Sequence, residues 1–175
     1  MATNRKLGRT TDIRKSMLKN LTTDVIVHGK IETTLQRAKE VKSIVDSIIS
    51  LAIKEKDNFE EVEVKIVKAK LDSKGNKVTE LVKSKNGKEY LKVVKEETTE
   101  KRQKDMPSRL NARRKIMRKV NKIKNSDGKN IDVPAILFNE LAPKYADKNV
   151  GGYTRIVKAG PRRGDSAEVA ILQLI

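Results

Sequence analysis

The segment from Gly151 to Asp165, GGYTRIVKAGPRRGD, combines residue types that bind phosphate groups. Its first two glycines permit positive φ and let backbone amides approach an anion closely. Arginine donates paired hydrogen bonds to phosphate, and an exposed tyrosine can stack on a base or a sugar. The segment has no acid before its last residue, so it is predicted to lie against an external anion. The glycines also fit a plain turn, and the tyrosine also fits a core position. The candidate contact residues are Tyr153, Arg155, Arg162 and Arg163.

Two further segments concentrate positive charge. The first is an N-terminal arm and helix within residues 4–19, with the candidate contacts Arg5, Lys6, Arg9, Arg14, Lys15 and Lys19. The second lies within residues 109–124, with the candidates Arg113, Arg114 and Arg118. Arg114, Arg118 and Lys122 recur every four residues, and a row of like charges at this spacing destabilises an isolated helix. A bound polyanion would offset that repulsion.

The charge of the chain is unevenly distributed. The 175 residues include 40 Lys and Arg against 23 Asp and Glu, a formal net charge of +17. Residues 57–100 contain ten acids and ten lysines, and all 12 arginines lie outside that window. Because arginine binds phosphate bidentately whereas lysine acts as a hydrated point charge, the two flanks indicate phosphate binding. Several cationic surfaces on one small domain favour a folded RNA over a duplex groove, since folded RNA can contact more than one side.

Few residues could support catalysis or hold a metal ion. The chain has no cysteine, which removes disulfides, thiolate zinc sites and cysteine nucleophiles, and His28 is its only histidine. It has neither a nucleotide-binding P-loop nor a G-x-S-x-G motif. The acidic pairs Glu60-Glu61 and Glu96-Glu97 lie in the neutral window, away from the basic segments, which argues against a two-metal nuclease site. We expect no enzymatic activity, no cofactor and no small-molecule substrate.

The apolar runs are short. None approaches the roughly 20 residues that a membrane span requires, and no hydrophobic signal core follows the cationic N-terminus. The sequence therefore predicts a soluble, cytoplasmic protein without a membrane partner.

The pattern of elements predicts an α+β fold, with about four helices packed on a small mixed sheet. Its core should comprise residues 1–56 and 107–175. Apolar residues at every fourth position predict a first helix that begins at Thr11 or Asp12 and ends at Gly29. The stretch KIETTL then indicates a strand.

Three more helices and two strands are predicted downstream. The second helix has a capping-box pattern at Thr33 and Gln36, and the third should be capped by Ser108 and extend to Lys124. The fourth should be capped by Asp132 and should kink or stop at the proline of ELAP. YTRIVKA and AEVAILQLI are predicted strands, and the second is apolar enough to lie centrally in the sheet.

Residues 57–106 are predicted to form a charge-neutral insertion. Three alternating stretches, VEVKIVKAKL, NKVTELV and KEYLKVV, are separated by the turn signals DSKGN and KNG. This pattern predicts a three-stranded antiparallel β-meander, a hairpin-like extension of the core. A flexible excursion rich in lysine and glutamate is the alternative interpretation.

Three blocks of the sequence together resemble a known family. They are NRKLGRTTDIRKSMLKNLTTDVIVHGKIETTLQRAKEVKSIVDSIISLA, NARRKI and LFNELAPKYADKNVGGYTRIVKAGPRRGDSAEVAILQLI. In order and spacing they are similar to the family of the seventeenth protein of the bacterial large ribosomal subunit. The resemblance implies an α/β fold without enzymatic activity. It also implies binding to large-subunit ribosomal RNA near the outer end of the nascent-chain tunnel, beside other ribosomal proteins.

The resemblance also assigns roles to residues. The basic N-terminus of the family is matched by Arg5, Lys6, Arg9, Arg14 and Lys15, its arginine helix by Arg113 and Arg114, and its C-terminal motif by Tyr153, Arg155, Arg162 and Arg163. The chain has Ile13-Arg14 where the family usually has a His-Arg pair, and residues 57–106 far exceed the short connection of the family. The insertion is therefore predicted to project from the RNA, into solvent or toward a neighbouring protein. A nucleoid-type DNA-compacting protein and a membrane-surface adaptor are the alternative functions.

Overall fold

The computed structural model describes residues 5–125, 128–148 and 151–175. The helical elements are α1 (Thr11–His28), α2 (Leu35–Lys54), α3 (Pro107–Met117), α4 (Val133–Ile136), a π-helical turn (Leu137–Leu141) and α5 (Ala142–Lys144). The strands are β1 (Lys30–Thr34), β2 (Phe59–Ala69), β3 (Thr79–Lys83), β4 (Glu89–Val93), β5 (Lys95–Asp105), β6 (Ile123–Lys124), β7 (Asn130–Ile131), β8 (Thr154–Pro161) and β9 (Glu168–Leu174). The α+β class is confirmed.

The chain divides into two compact units. We call Met1–Asn58 together with Asp105–Ile175 the core unit, and Phe59–Lys104 the insertion unit. The main sheet of the core unit has three strands in the order β1-β9-β8, and β9 pairs antiparallel with both neighbours. The sheet is thus antiparallel and not mixed as predicted, because the loop from β8 to β9 is too short for a parallel crossover. The predicted central position of the last strand is confirmed, and Ala170 and Leu172 are fully buried there.

The ends of α1 and α2 show which local signals hold. Gly29 ends α1 as predicted, with φ 77° and its N–H donating to the carbonyl of Val25 at 2.9 Å. The residues that precede the two helices are Thr10 and Thr34, and neither side chain makes a capping hydrogen bond. The predicted capping box beginning at Thr33 is therefore wrong. The reason is that Thr33 is held in β1.

The helix α3 ends at Met117, well before the predicted end at Lys124. Two contacts take the following residues off the helical path. The side chain of Val120 is buried in the core, and the N–H of Asn121 donates to the hydroxyl of Thr23 at 3.0 Å. The chain then continues as β6, which pairs with β7.

The start of α3 also differs from the prediction. Met106 precedes the helix and Pro107 opens it, a position where the missing N–H of proline costs nothing. Ser108 donates instead to the carboxylate of Glu55 at 2.7 Å, and the side-chain amide of Asn58 donates to the same carboxylate at 2.9 Å. The hydrogen bonds from Asn58 and Ser108 hold the pKa of Glu55 below its usual range. These bonds connect the end of α2 to the start of α3.

Asp132 caps α4 as predicted, with one carboxylate oxygen accepting the N–H of Ala135 at 3.3 Å. The helix then widens into the π-helical turn before α5. Pro143 lies in α5 and has no N–H to donate to the preceding turn, which is a known cause of such local rearrangement.

The insertion unit is not a three-stranded meander. Its strands pair as two separate ribbons, β2 with β5 and β3 with β4. In the segment that connects β2 to β3, Leu71 and Lys77 form an isolated antiparallel bridge. The two ribbons and the bridge meet at a ring of three backbone hydrogen bonds. The N–H of Lys70 donates to the carbonyl of Val94 at 2.8 Å, that of Val94 to the carbonyl of Val78 at 3.0 Å, and that of Val78 to the carbonyl of Lys70 at 2.9 Å. A meander would need β3 beside β2, but β2 pairs with β5 instead.

The charge of the insertion unit is also not zero. Residues 59–104 contain 13 basic and nine acidic residues, because the unit takes in three bases beyond residue 100 and leaves out Asp57. The stem, residues 59–70 and 96–104, is balanced at six against six, and Lys68 and Lys70 pair with Glu100 and Glu96 there. The net charge of +4 therefore belongs to residues 71–95.

Candidate nucleic-acid interface

The N-terminal arm is held against the helices of the core unit. Arg14 donates to the carbonyl of Arg5 at 3.2 Å, and the guanidinium of Arg5 lies 3.6 Å from the carboxylate of Glu40 in α2. Arg14 is partly buried, whereas Lys6 and Arg9 are exposed. Of the predicted contacts in the arm, Lys6 and Arg9 are thus the ones that face solvent without an internal partner among the described residues.

The arginines of α3 point in two directions. Arg113 donates to Asp105 at 2.7 Å and lies 3.7 Å from Asp132, with its guanidinium 5.3 Å from the centre of the Phe138 ring. Arg113 is 24% exposed and already has two carboxylate partners within the protein, and its predicted contact with RNA stays a prediction. Arg114 and Arg118 are exposed, and neither forms an ion pair with a residue in the described ranges.

Arg109 belongs to the core, although the sequence pattern placed it on the basic segment. Its side chain is 2% exposed, its guanidinium lies 3.1 Å from Asp105, and it stacks over Phe138 at 4.9 Å. The available signal was Asp105, which precedes Arg109 by four residues. A carboxylate at the start of a helix is stabilised there and reaches cations one turn later.

Two grooves between the helices are lined by several of the other cations. The α1–α3 groove has a volume of about 220 Å³, and Lys15, Lys19, Arg118 and Lys119 surround its apolar floor of Leu18 and Ile44. The α2–α3 groove has a volume of about 450 Å³ and shares Arg118 and Lys119 with the first; its other lining residues are Ser47, Ile48, Ser50, Leu51, Lys54, Lys115 and Ile116. None of the described residues that line the two grooves is acidic.

Sequence reasoning did not select Lys54, Lys115 or Lys119. Lys115 lies in α3 and Lys119 follows the end of that helix, but Lys54 reaches the site only through the packing of α2 on α3. The folded chain therefore joins cations from three separated stretches at one surface, and only two of those stretches were predicted.

Tyr153 does not lie on the surface. Its side chain is 4% exposed, its ring centre lies 5.4 Å from that of Tyr145, and its hydroxyl donates to the carbonyl of Lys148 at 3.4 Å. The predicted stacking role is therefore wrong, because the ring already packs in the core. Gly151 and Gly152 do adopt positive φ, 81° and 77°, which L side chains rarely adopt.

The β8–β9 loop presents two arginines with different surroundings. Arg162 donates twice to Asp165, at 2.9 and 2.5 Å, whereas Arg163 is exposed and forms no ion pair with any residue that the structure describes. Neither groove is lined by these residues or by Arg155, which is exposed on β8. The loop is thus a separate cationic surface, on which one of two arginines is neutralised.

The Arg162–Asp165 pair is stable across ordinary pH. The hydrogen bonds from Arg162 lower the pKa of Asp165 to about 2. An aspartate whose folded pKa is depressed contributes stability above its unfolded pKa of about 3.9 and loses it as the pH falls through the folded value. The pair therefore stays formed at all pH values above about 4.

Other kinds of site receive no support from the described part of the chain. It contains no group of three or more His, Asp or Glu residues placed to hold a metal ion. None of its helices combines the length and apolarity that crossing a membrane would need. His28 is exposed at the end of α1.

Comparison with known proteins identifies a family. A family model described as ribosomal protein L17 matches residues 17–175. The chain is 54% identical over 175 residues to the large ribosomal subunit protein bL17 of Acetivibrio thermocellus, with both chains fully covered. It is 57% identical over 171 residues to the bL17 protein of Ruminiclostridium cellulolyticum, covering 98% of each chain, and 46% identical over 185 residues to that of Lachnospira eligens, with both fully covered. These matches run through the insertion, so these relatives have a segment of similar length there. The chain belongs to the ribosomal protein L17 family.

Proposed function

We propose that this chain binds folded large-subunit ribosomal RNA through the two grooves, the N-terminal arm and the β8–β9 loop, near the outer end of the nascent-chain tunnel. As a member of the L17 family it is a structural constituent of the bacterial large ribosomal subunit and not an enzyme. Its place is the cytoplasmic ribosome, and its partners are ribosomal RNA and ribosomal proteins. The tunnel location is supported by the family resemblance alone.

The convergence of α1 with the residues that follow α3 is the observation that carries the proposal. Lys15, Lys19, Arg118 and Lys119 come from stretches about a hundred residues apart and surround one groove without an acid among its described lining residues. Gathering like charges in this way costs free energy in the isolated chain. A polyanion in the groove would make the electrostatic energy of these cations favourable, because its phosphates attract them. Binding would also release the counterions of the polyanion into solution.

Internal contacts support a smaller set of RNA contacts than the sequence predicted. Tyr153 is buried in the core, and Arg5, Arg14, Arg113 and Arg162 have internal partners. The proposed primary contacts are Lys6, Arg9, Lys15, Lys19, Arg114, Arg118, Lys119, Arg155 and Arg163.

Binding to two polyanions across a salt series tests the proposal. We expect the full chain to bind deproteinised, folded large-subunit RNA more tightly than duplex DNA of equal length at 150 mM salt. Both affinities should fall steeply between 50 and 200 mM salt, because both depend on counterion release. Equal affinity for the two would favour a DNA-compacting protein, and retention on anionic liposomes at 150 mM salt would favour a membrane-surface adaptor.

The insertion unit should be dispensable for assembly. Replacing Phe59–Lys104 by a short Gly/Ser loop joins Asn58 to Asp105, and Met106 already donates to the carbonyl of Asn58 at 3.2 Å. Because both grooves lie in the core unit, we expect incorporation within about 2-fold of the full chain, since loops of different length cost similar free energy. Quantitative mass spectrometry of purified large subunits measures this. Lost incorporation by a variant that still folds would make the insertion an assembly element.

A further inference from the structure

The α2–α3 groove differs from a plain phosphate-binding surface in its floor. Leu51 is partly exposed, whereas Ile48 and Ile116 are 1% and 0% exposed. The accessible apolar surface of the groove therefore comes mainly from Leu51 and from the aliphatic stems of the lysines that line it. Phosphate groups gain nothing from such a surface, because their contacts are hydrogen bonds and ion pairs. An occupant that uses the whole groove must therefore combine an apolar face with negative charge.

The groove exists because two small side chains lie in its wall. Ser47 and Ser50 are on the side of α2 that lines the groove, where larger residues would fill the space. Their hydroxyls can donate and accept hydrogen bonds. The volume of about 450 Å³ falls within the range of sites for small ligands and suits one nucleobase.

The rim of the groove is available to an anion. Lys54, Lys115, Arg118 and Lys119 form no ion pair with a residue inside the described ranges. The acid next in sequence to Lys54 is Glu55, and its carboxylate is already occupied by hydrogen bonds from Asn58 and Ser108. Glu55 therefore offsets the charge of Lys54 only in part, and the rim keeps an excess of positive charge.

We propose that the α2–α3 groove receives the base of one unstacked nucleotide of the bound RNA. The base lies on the apolar floor, its edge reaches Ser47 or Ser50, and the flanking phosphates contact Lys54, Lys115, Arg118 and Lys119. This inference rests on the proposed RNA binding and adds to it a preference for a loop or bulge. Specific RNA recognition commonly uses such splayed bases, whereas a paired helix would touch only the rim.

Filling the groove tests the inference without removing a charge. Ser47→Phe places a ring where the base should lie, and Ser43→Phe puts the same ring one turn earlier on α2, outside the groove lining. Each full-length variant is bound to deproteinised large-subunit RNA. Dimethyl sulfate then maps the exposed base edges, and hydroxyl radicals map the backbone.

We expect the native chain to protect an adenine or cytosine that is unpaired in the free RNA. Ser47→Phe should lose that base protection, keep the backbone protection, and bind about 10-fold more weakly, because one base no longer buries its surface in the groove. Ser43→Phe should match the native chain. Base protection that persists in Ser47→Phe, or a native map restricted to the backbone of paired helices, would overturn the inference and leave the proposed RNA binding intact. A native chain that protects no RNA would overturn both. The native map decides the question even if Ser47→Phe does not fold.

Discussion

Replacing Asp105 with alanine is expected to lower the free energy of unfolding by about 3–5 kcal/mol, the typical cost of removing one partner from a buried charge pair. Asp105 is 14% exposed and contacts both Arg109, which is 2% exposed, and Arg113, at 3.1 and 2.7 Å. The loss would leave the buried guanidinium of Arg109 without its carboxylate. Contact with Phe138 compensates only in part, since a desolvated cation–π contact contributes about 2 kcal/mol, less than the cost expected for the lost carboxylate.

Urea denaturation followed by circular dichroism measures this effect. The matched control is Asp57→Ala, whose carboxylate is 84% exposed and lies 3.7 Å from Lys56; exposed pairs contribute about 0–1 kcal/mol. A second variant, Asp105→Leu with Arg109→Met, should recover much of the loss, because apolar residues can replace a buried pair without a desolvation cost. An Asp105→Ala protein within about 1 kcal/mol of the native chain would show that other groups hold the Arg109 charge.

Local signals predicted the elements of the core unit well. Gly29 ends α1 and Asp132 caps α4, because both effects act within a few residues of the chain. The apolar run of β9 indicated a central strand, and the structure has it between β1 and β8. Periodicity and capping depend on neighbours in sequence, so they can be read without the fold.

The errors fall where the outcome depends on residues far away in sequence. Arg109, Arg113 and Arg114 look alike in the sequence, and only the positions of Asp105 and Phe138 decide which two turn inward. In the same way, α3 stops because Asn121 bonds to Thr23, a residue of another helix.

The strand pairing of the insertion and the shape of the grooves also depend on residues that are far apart in sequence. Alternation correctly indicated β2, β3 and β4 but did not indicate β5. The pairing of the strands follows from the hydrogen-bond ring of Lys70, Val78 and Val94, which joins three distant positions. The grooves form only when α1, α2 and α3 pack, so the sequence indicated their charge without indicating their shape.

Replacing Arg118 and Lys119 together with alanine is expected to cause the largest loss of RNA binding, because these two residues line both grooves. Each lost phosphate contact lowers the slope of log affinity against log salt by about 0.7–0.9, so the slope should fall by about 1.5. The matched control is Lys85→Ala with Lys88→Ala, which removes the same charge from the insertion unit. An equal change in the control would show that net charge, and not the grooves, determines binding.

Replacing Arg162 and Arg163 with alanine should weaken RNA binding with little change in fold. The slope of log affinity against log salt should fall about half as much as when Arg118 and Lys119 are replaced. Arg163 is exposed, but Arg162 already bonds twice to Asp165, whose pKa of about 2 keeps the carboxylate charged at the pH of any binding experiment. Replacing Arg162 therefore leaves the Asp165 carboxylate unpaired, and it removes a cation that contributes little to RNA binding. The single variant Asp165→Asn separates these contributions: it should steepen the salt slope if Arg162 then turns to the RNA. A slope unchanged in the double variant would remove the β8–β9 loop from the interface, and a loss as large as that of the groove variant would mean that RNA displaces Asp165 from Arg162 on binding.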